Sequence, residues 1–132
     1  MQQITTFLMF TGEAENAMNL YTSLFPDSEI LSISRYGEGE DGPAGTVRHA
    51  VFSLNGQNFM CIDSPPMHDF SFTPSMSLYV TCATEGEVDA LYAALSEGGQ
   101  VLMPLDAYPF ARRYAWVNDR FGVSWQLSHG LA

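Results

Sequence analysis

Two side chains in this sequence combine useful chemistry with a place inside an apolar run. His49 lies in the stretch RHAVF, and Gln126 lies in FGVSWQLSHG, where it alternates with apolar neighbours. An imidazole titrates near neutral pH and serves as a general acid or base. A glutamine amide both donates and accepts hydrogen bonds, so it can orient a small ligand. His49 is therefore the candidate catalytic residue and Gln126 the candidate ligand-binding residue, with a structural histidine and a solvated glutamine as the alternatives.

Other motifs favour structure over chemistry. Gly37, Gly39 and Gly42 have the G-x-G-x-x-G spacing of dinucleotide-binding loops, but they are interleaved with acids and followed by a strand pattern. A dinucleotide site needs a helix N-terminus at that point, so we predict a plain loop. The sequence has no other nucleotide-binding pattern and no G-x-S-x-G nucleophile elbow. Cys61 and Cys82 lie in apolar runs, which predicts reduced thiols in the core.

The bulk composition narrows the partners. The chain has 132 residues, of which 46% are hydrophobic, and a formal net charge of -10, which suits one globular domain. Only 5 basic residues are present, so neither nucleic acid nor an anionic membrane surface is an expected partner. The sequence has no run of about 20 apolar residues and no basic start typical of a secretory signal. We expect a cytoplasmic protein.

The order of predicted elements occurs twice. The first half predicts β-α-β-β-β, with strands over residues 4–10, 29–36, 46–54 and 57–63 and a hairpin turn at Asn55-Gly56. The second half predicts the same order, with strands over 75–82, from 101 onward, over 112–118 and over 123–128. Its helix begins at the capping box of Thr84 and Glu87 and ends at Gly98-Gly99.

We therefore predict an α+β fold in which tandem β-α-β-β-β modules form a cupped mixed sheet with the helices on the outside. Module one spans about 1–64, the connection 65–74 and module two 75–132, all within a single domain. Corresponding triplets support the repeat, since Phe59-Met60-Cys61 occupies the place of Trp125-Gln126-Leu127. Asp63 and Asp119 end or turn hairpins, which turn chemistry explains without catalysis.

The stretches ITTFLMFTGEAENAMNLYTSLFPDSEI, LNGQNFMCIDS, HDFSFTPSMSLYVTC and WVNDRFGVSWQL, together with the tandem modules, resemble the vicinal oxygen chelate superfamily. This superfamily includes glyoxalase I, extradiol dioxygenases and bleomycin resistance proteins. The sequence is most similar to its PhnB-like branch, often labelled demethylubiquinone methyltransferase-like. The resemblance covers essentially the whole chain. It implies the fold and a homodimer, whereas a fold alone does not define a reaction.

In metal-dependent members of the superfamily, four ligands lie on the cup face, one on the first and one on the last strand of each module. The matching positions here hold Thr6, Met60, Ser75 and Gln126. Hard divalent cations take carboxylate, imidazole or water oxygen, whereas Met60 is a soft thioether, and one neutral amide does not hold a metal. The resemblance therefore implies no cofactor and no metal in this quartet. A divalent metal held by other residues is the alternative.

Strand alternation extends the predicted cup. With Thr6 and Ser75 inward, the expected lining also includes Leu8, His49, Ser77, Tyr79, Tyr114 and Trp116. Such an aromatic surface with scattered hydroxyls and one imidazole suits a flat or partly apolar small molecule. The connection supplies His68, Phe70 and Phe72, which are either a lid or anchors for the loop, and His129 is expected to be exposed.

Three functions stay open at this point. The first is metal-independent binding of a small, partly apolar molecule, as in sequestration by bleomycin resistance proteins. The second is an isomerase, lyase or transferase step that uses His49 and Gln126, with or without a divalent metal. The third is a partner-binding module whose cup is vestigial.

Overall fold

The computed structural model describes residues 1–65 and 67–131 and divides the chain into two compact units, Met1–Ser71 and Phe72–Ala132. The boundary between the units falls inside the predicted connection. Each unit has the predicted β-α-β-β-β order and one four-stranded mixed sheet. The α+β class and the tandem repeat are thus confirmed, while the single domain and the shared cup stay predictions.

The first unit contains β1 (Thr6–Phe10), α1 (Ala14–Leu24), β2 (Glu29–Arg35), β3 (Val47–Leu54) and β4 (Gln57–Asp63). Its strand order is β1-β4-β3-β2, with β1 parallel to β4 and the other pairs antiparallel. The hairpin between β3 and β4 turns at the predicted dipeptide, where Asn55 and Gly56 have φ of 52° and 85°. Both residues adopt positive φ, as a type I′ turn requires.

The core of the first unit lies between α1 and its sheet. Tyr21 of α1 is fully buried against Phe52 of β3, with ring centroids 6.4 Å apart, and Phe52 stacks on Phe59 at 5.3 Å. Cys61 lies on this same side and is fully buried. Burial raises the pKa of the Cys61 thiol to about 12, with a smaller contribution from the charge of Asp63. The prediction of free core thiols is confirmed at Cys61 and also at Cys82, which is buried in the second unit.

Asp63 has a wider structural role than the hairpin end predicted for it. Its Oδ1 accepts hydrogen bonds from the backbone N–H groups of Gly12 and Ala14, and its Oδ2 accepts one from Val47 N–H. The Glu13 side chain makes no capping hydrogen bond to α1. A carboxylate from β4 therefore satisfies a free N–H at the start of α1 and ties the helix to the sheet.

The second unit contains β5 (Leu78–Thr81), α2 (Glu85–Ser96), β6 (Gln100–Tyr108), β7 (Ala111–Asn118) and β8 (Ser124–His129). Its strand order is β5-β8-β7-β6, which repeats the topology of the first unit. The Thr84 cap of the predicted capping box forms, because Glu87 N–H donates to Thr84 Oγ1 at 3.1 Å. The Glu87 carboxylate accepts from Ala83 N–H, one residue before the cap. Among the residues described, no helix is long and apolar enough to cross a membrane.

The core of the second unit lies between α2 and β7 and β8. Leu95 of α2 and Trp125 and Leu127 of β8 are among its buried side chains. Asp119 holds the turn before β8 through Phe121 N–H and Val123 N–H, as turn chemistry predicted. Its second oxygen accepts the indole N–H of Trp125 at 2.9 Å, so Asp119 also fixes the largest side chain of this core.

Candidate functional site

The face of the second sheet that points away from α2 carries the polar and aromatic side chains, and we call it the Gln126 face. Register places Gln126 beside Tyr79 on the parallel strand β5 and beside Trp116 on the antiparallel strand β7. Tyr114 lies on the same face, because it pairs with Ser128, two residues beyond Gln126. The predicted residues Tyr79, Tyr114, Trp116 and Gln126 therefore do share one surface.

Gln126 is held by side chains on both sides. Its Oε1 accepts the hydroxyl proton of Tyr114 at 2.6 Å, and its Nε2 donates to Ser77 Oγ at 2.7 Å. Trp116 is held independently, since its indole N–H donates to Ser124 Oγ at 2.8 Å. These contacts fix the direction of the amide, which would rotate freely if water were its only partner.

An aromatic cluster surrounds the Tyr114 end of this network, and it was not predicted from the sequence. Tyr108 and Phe110 stack with ring centroids 5.6 Å apart, and both rings meet Tyr114 edge-on, at 5.4 and 4.8 Å. Burial raises the pKa of Tyr114, with smaller contributions from Tyr79 and Tyr108, so Tyr114 keeps its proton at neutral pH. The available signal was the Tyr-Pro-Phe turn directly before β7.

The face of the first sheet that points away from α1, which we call the Met60 face, is apolar where β1 meets β4 and carries Ser32 and Ser34 on β2. Phe7 pairs with Met60 and Met9 with Ile62 across β1 and β4, and Val51 of β3 pairs with Met60. The exposed His49 lies two residues before Val51 and so on the same side. Phe7 is 52% exposed. An exposed apolar face of this kind is typical of a surface that contacts a ligand or a partner.

The prediction that Thr6 and Leu8 line the cup was wrong. They pair with Phe59 and Cys61, so they lie on the helix side of the first sheet and not on the face of Met60. Leu8 is buried there. The run TFLMF is apolar at nearly every position, so its alternation did not reveal which residues face the helix. Phe7 and Met9 take the places predicted for Thr6 and Leu8.

Ser75 is a second correction, because it precedes β5 in a turn. Its hydroxyl forms a hydrogen bond with Thr73 Oγ1 at 2.7 Å. The residue of β5 that pairs with Gln126 is Tyr79. In each unit, the first and last strands therefore place one pair of side chains on the predicted cup face. These pairs are Phe7 with Met60 and Tyr79 with Gln126.

This corrected quartet does not fit a hard divalent cation. A phenyl ring offers no lone pair and a thioether is a soft ligand. Only the phenol of Tyr79 and the neutral amide of Gln126 are left, without a carboxylate or an imidazole. Among residues 1–65 and 67–131, no three His, Cys, Asp or Glu side chains form a group that could hold a metal ion. A metal held elsewhere stays an untested alternative.

The remaining histidines and the proposed lid have these positions. His68 stacks on Phe70 at 4.6 Å in the first unit, with Phe70 62% exposed, and Phe72 lies beside Gly122 in the second unit. Their role as a lid stays a prediction. His129 was expected to be exposed but is half-buried, with its Nδ1 3.0 Å from the backbone oxygen of Cys82. The catalytic role of His49 also stays a prediction.

Comparison with known proteins shows the family of this chain. The family described as 3-demethylubiquinone-9 3-methyltransferase matches residues 2–128. The chain belongs to this family. A PhnB protein from Bacillus cereus is 61% identical, with 98% of this chain and 100% of that one covered and a TM-score of 0.95. Protein PA1353 from Pseudomonas aeruginosa is 26% identical, covers 98% of both chains and has a TM-score of 0.83.

A more distant structure extends the likeness in fold. A glyoxylase/bleomycin resistance protein/dioxygenase domain from Frankia sp. EAN1pec is 15% identical over 98% of this chain and 93% of that one, with a TM-score of 0.66. At this identity the likeness concerns the fold alone. The chain is thus a PhnB-like member of the glyoxalase and bleomycin resistance fold, as its sequence indicated.

Proposed function

We propose that this PhnB-like protein binds a small, partly apolar molecule on the Gln126 face without a metal ion. The observation that carries the proposal is the oriented amide of Gln126, which lies between Tyr114 and Ser77 on an aromatic surface. Small-molecule sites combine apolar walls with a few fixed polar groups, and this surface supplies both. Binding without turnover would make the protein a carrier or a sequestering protein in the cytoplasm.

The proposal also includes a homodimer, on the strength of the resemblance to single-domain relatives. The exposed Phe7 and its neighbours Met9 and Met60 support it, because an apolar sheet face is stabilised by a cover. We do not assign a reaction, since no His, Asp or Glu is hydrogen-bonded to Gln126 among the described residues. These side chains commonly transfer protons in catalysis, whereas a glutamine amide does not.

Native mass spectrometry of protein purified without added metal or chelator tests all parts of this proposal together. We expect a dimer that carries no stoichiometric metal and that retains or accepts an organic molecule. Gln126→Leu should lose that molecule, whereas Gln100→Leu, the same change at an exposed position of β6, should keep it. A stoichiometric divalent metal, or an adduct that survives Gln126→Leu, would contradict the proposal.

A further inference from the structure

In the hydrogen-bond chain around Gln126, Tyr114 donates to Gln126 and Gln126 donates to Ser77. The single proton of the Tyr114 hydroxyl is used toward Gln126 Oε1, so the Tyr114 oxygen offers a ligand only lone pairs. At the other end, Ser77 Oγ accepts from Gln126 Nε2. That contact leaves the Ser77 hydroxyl proton, and the second proton of the Gln126 amide, as donors.

Those two donors have no acceptor among the described residues. Ser77 and Gln126 are half-buried, and among the described residues their side-chain polar atoms form only the hydrogen bonds of this network. A half-buried donor without an acceptor is costly unless water or a ligand supplies one. The middle of the Gln126 face is therefore prepared for a molecule that brings an acceptor atom.

The surroundings of the donors indicate the rest of that molecule. Tyr79 lies beside Gln126 on one strand and Trp116 beside it on the other, so rings flank the amide on both sides. Tyr79 is 55% exposed, which leaves its ring available for stacking. Flat conjugated systems pack well on such rings, in offset or edge-on geometry.

Charge decides between a neutral and an anionic acceptor. The chain carries a net charge of -10, and the two arginines of β7 are engaged elsewhere. Arg113 forms an ion pair with Asp89 of α2 at 2.8 Å, and Arg112 Nε donates to the backbone oxygen of Leu131. Arg112 keeps its charge, but its side chain lies against Gly130, four residues after Gln126 and just beyond β8. With no arginine beside Gln126 in the register, the acidic chain disfavours a carboxylate or phosphate there, so the acceptor is uncharged.

We infer that the Gln126 face recognises an uncharged, flat aromatic carbonyl compound, whose carbonyl oxygen accepts from Ser77 Oγ and Gln126 Nε2. This inference rests on the proposed function, because it names the ligand class for the same site. It differs from simple apolar binding in one respect. It requires the carbonyl oxygen, and not only the ring, for affinity.

A matched set of small probes distinguishes recognition of the carbonyl oxygen from simple apolar binding. We would titrate the full chain with 1-indanone, with indane, which has the same rings but no oxygen, and with the cation benzyltrimethylammonium. The side-chain N–H signals of Gln126 and Trp116 in ¹H–¹⁵N NMR spectra report binding. We expect 1-indanone to bind about 100-fold more tightly than indane, which is the value of two net hydrogen bonds.

Variants then assign the preference to the network. Ser77→Ala should reduce the 1-indanone affinity about 10-fold and leave indane binding unchanged. Ser23→Ala, at an exposed position of α1 in the first unit, is the matched control and should change neither. Gln126→Leu should abolish the preference for the carbonyl even if the rings still bind.

The outcomes distinguish the two levels of the account. Equal binding of 1-indanone and indane, or a preference for the ammonium ion, would overturn the ligand class and leave metal-free binding standing. A Ser77→Ala variant with full preference for the carbonyl would overturn the assigned donors. If no probe moves the Gln126 or Trp116 signals at millimolar concentration, both the ligand class and the proposed binding surface are wrong.

Discussion

At the scale of single residues, buried carboxylates organise the structure while the amide of Gln126 organises the candidate site. Asp63 and Asp119 are both 3% exposed, and each accepts three hydrogen bonds from N–H groups. Gln126 instead both donates and accepts, and it lies on the open face of a sheet. The two carboxylates have structural roles, whereas the Gln126 amide keeps a second proton that it can donate to a ligand.

Asp63→Asn should destabilise the chain by about 2 kcal/mol. An amide cannot accept from Gly12, Ala14 and Val47 together, because its nitrogen would face an N–H donor. Urea unfolding measures the change, with the exposed Asp69→Asn as control. A loss no larger than that of the control would show that the carboxylate does not secure the start of α1.

The Cys61 thiol makes a prediction for alkaline pH. Its pKa is raised to about 12 in the folded chain from an ordinary 9.0, so between these values the folded thiol keeps a proton that the unfolded thiol releases. The unfolded state then binds fewer protons, and the free energy of unfolding falls as pH rises above 9. Cys61→Ala should show a shallower fall in urea titrations across this range. Parallel curves for the two proteins would contradict it.

At the scale of elements, close backbone approach decides one position after α2. An added Cβ at Gly99 would overlap the backbone oxygen of Asn118, a residue of β7 that pairs with Gln100 at the start of β6. Gly99→Ala should therefore cost about 2 kcal/mol or more. Gly86→Ala, inside α2 with no atom nearer than 3.9 Å, should be neutral or stabilise by up to about 1 kcal/mol.

Thermal or urea unfolding of these two glycine variants measures the difference directly. The same chemical change is made twice, so only the surroundings of the added methyl group differ. Equal stabilities would show that the chain connecting α2 to β6 relaxes around Gly99.

The elements also show what the sequence could predict. The Asn55-Gly56 turn and the Thr84 cap are local signals, and both appear as expected. The prediction of which β1 side chains face the helix was wrong. TFLMF is apolar on both sides, and only pairing with β4 reveals which side meets the helix. Pairing of this kind is long-range, so alternation along one strand does not determine it.

The candidate site could be predicted in part for the same reason. Tyr79, Tyr114, Trp116 and Gln126 were placed on one face by alternation along β5, β7 and β8. The partners of Gln126 were not predicted, since hydrogen bonds between strands depend on register and side-chain direction. Tyr108 and Phe110 were missed because β6 contains register shifts that break a simple period of two.

At the scale of the whole molecule, the account joins a family fold to a candidate ligand-binding surface. The PhnB-like assignment rests on a match over residues 2–128 and on a 61% identical structure. At the corrected metal positions the chain has Phe7, Met60, Tyr79 and Gln126. The central claim is that the Gln126 face binds a small molecule by shape and hydrogen bonds alone.

The most direct test of this claim is equilibrium dialysis of the chelator-treated full chain against a cell extract of small molecules, read by mass spectrometry. We predict that the wild-type chain enriches an uncharged aromatic compound and that Gln126→Leu does not, while Gln100→Leu behaves as wild type. Enrichment that appears only when a divalent metal is restored, or that is the same for wild type and Gln126→Leu, would contradict the account.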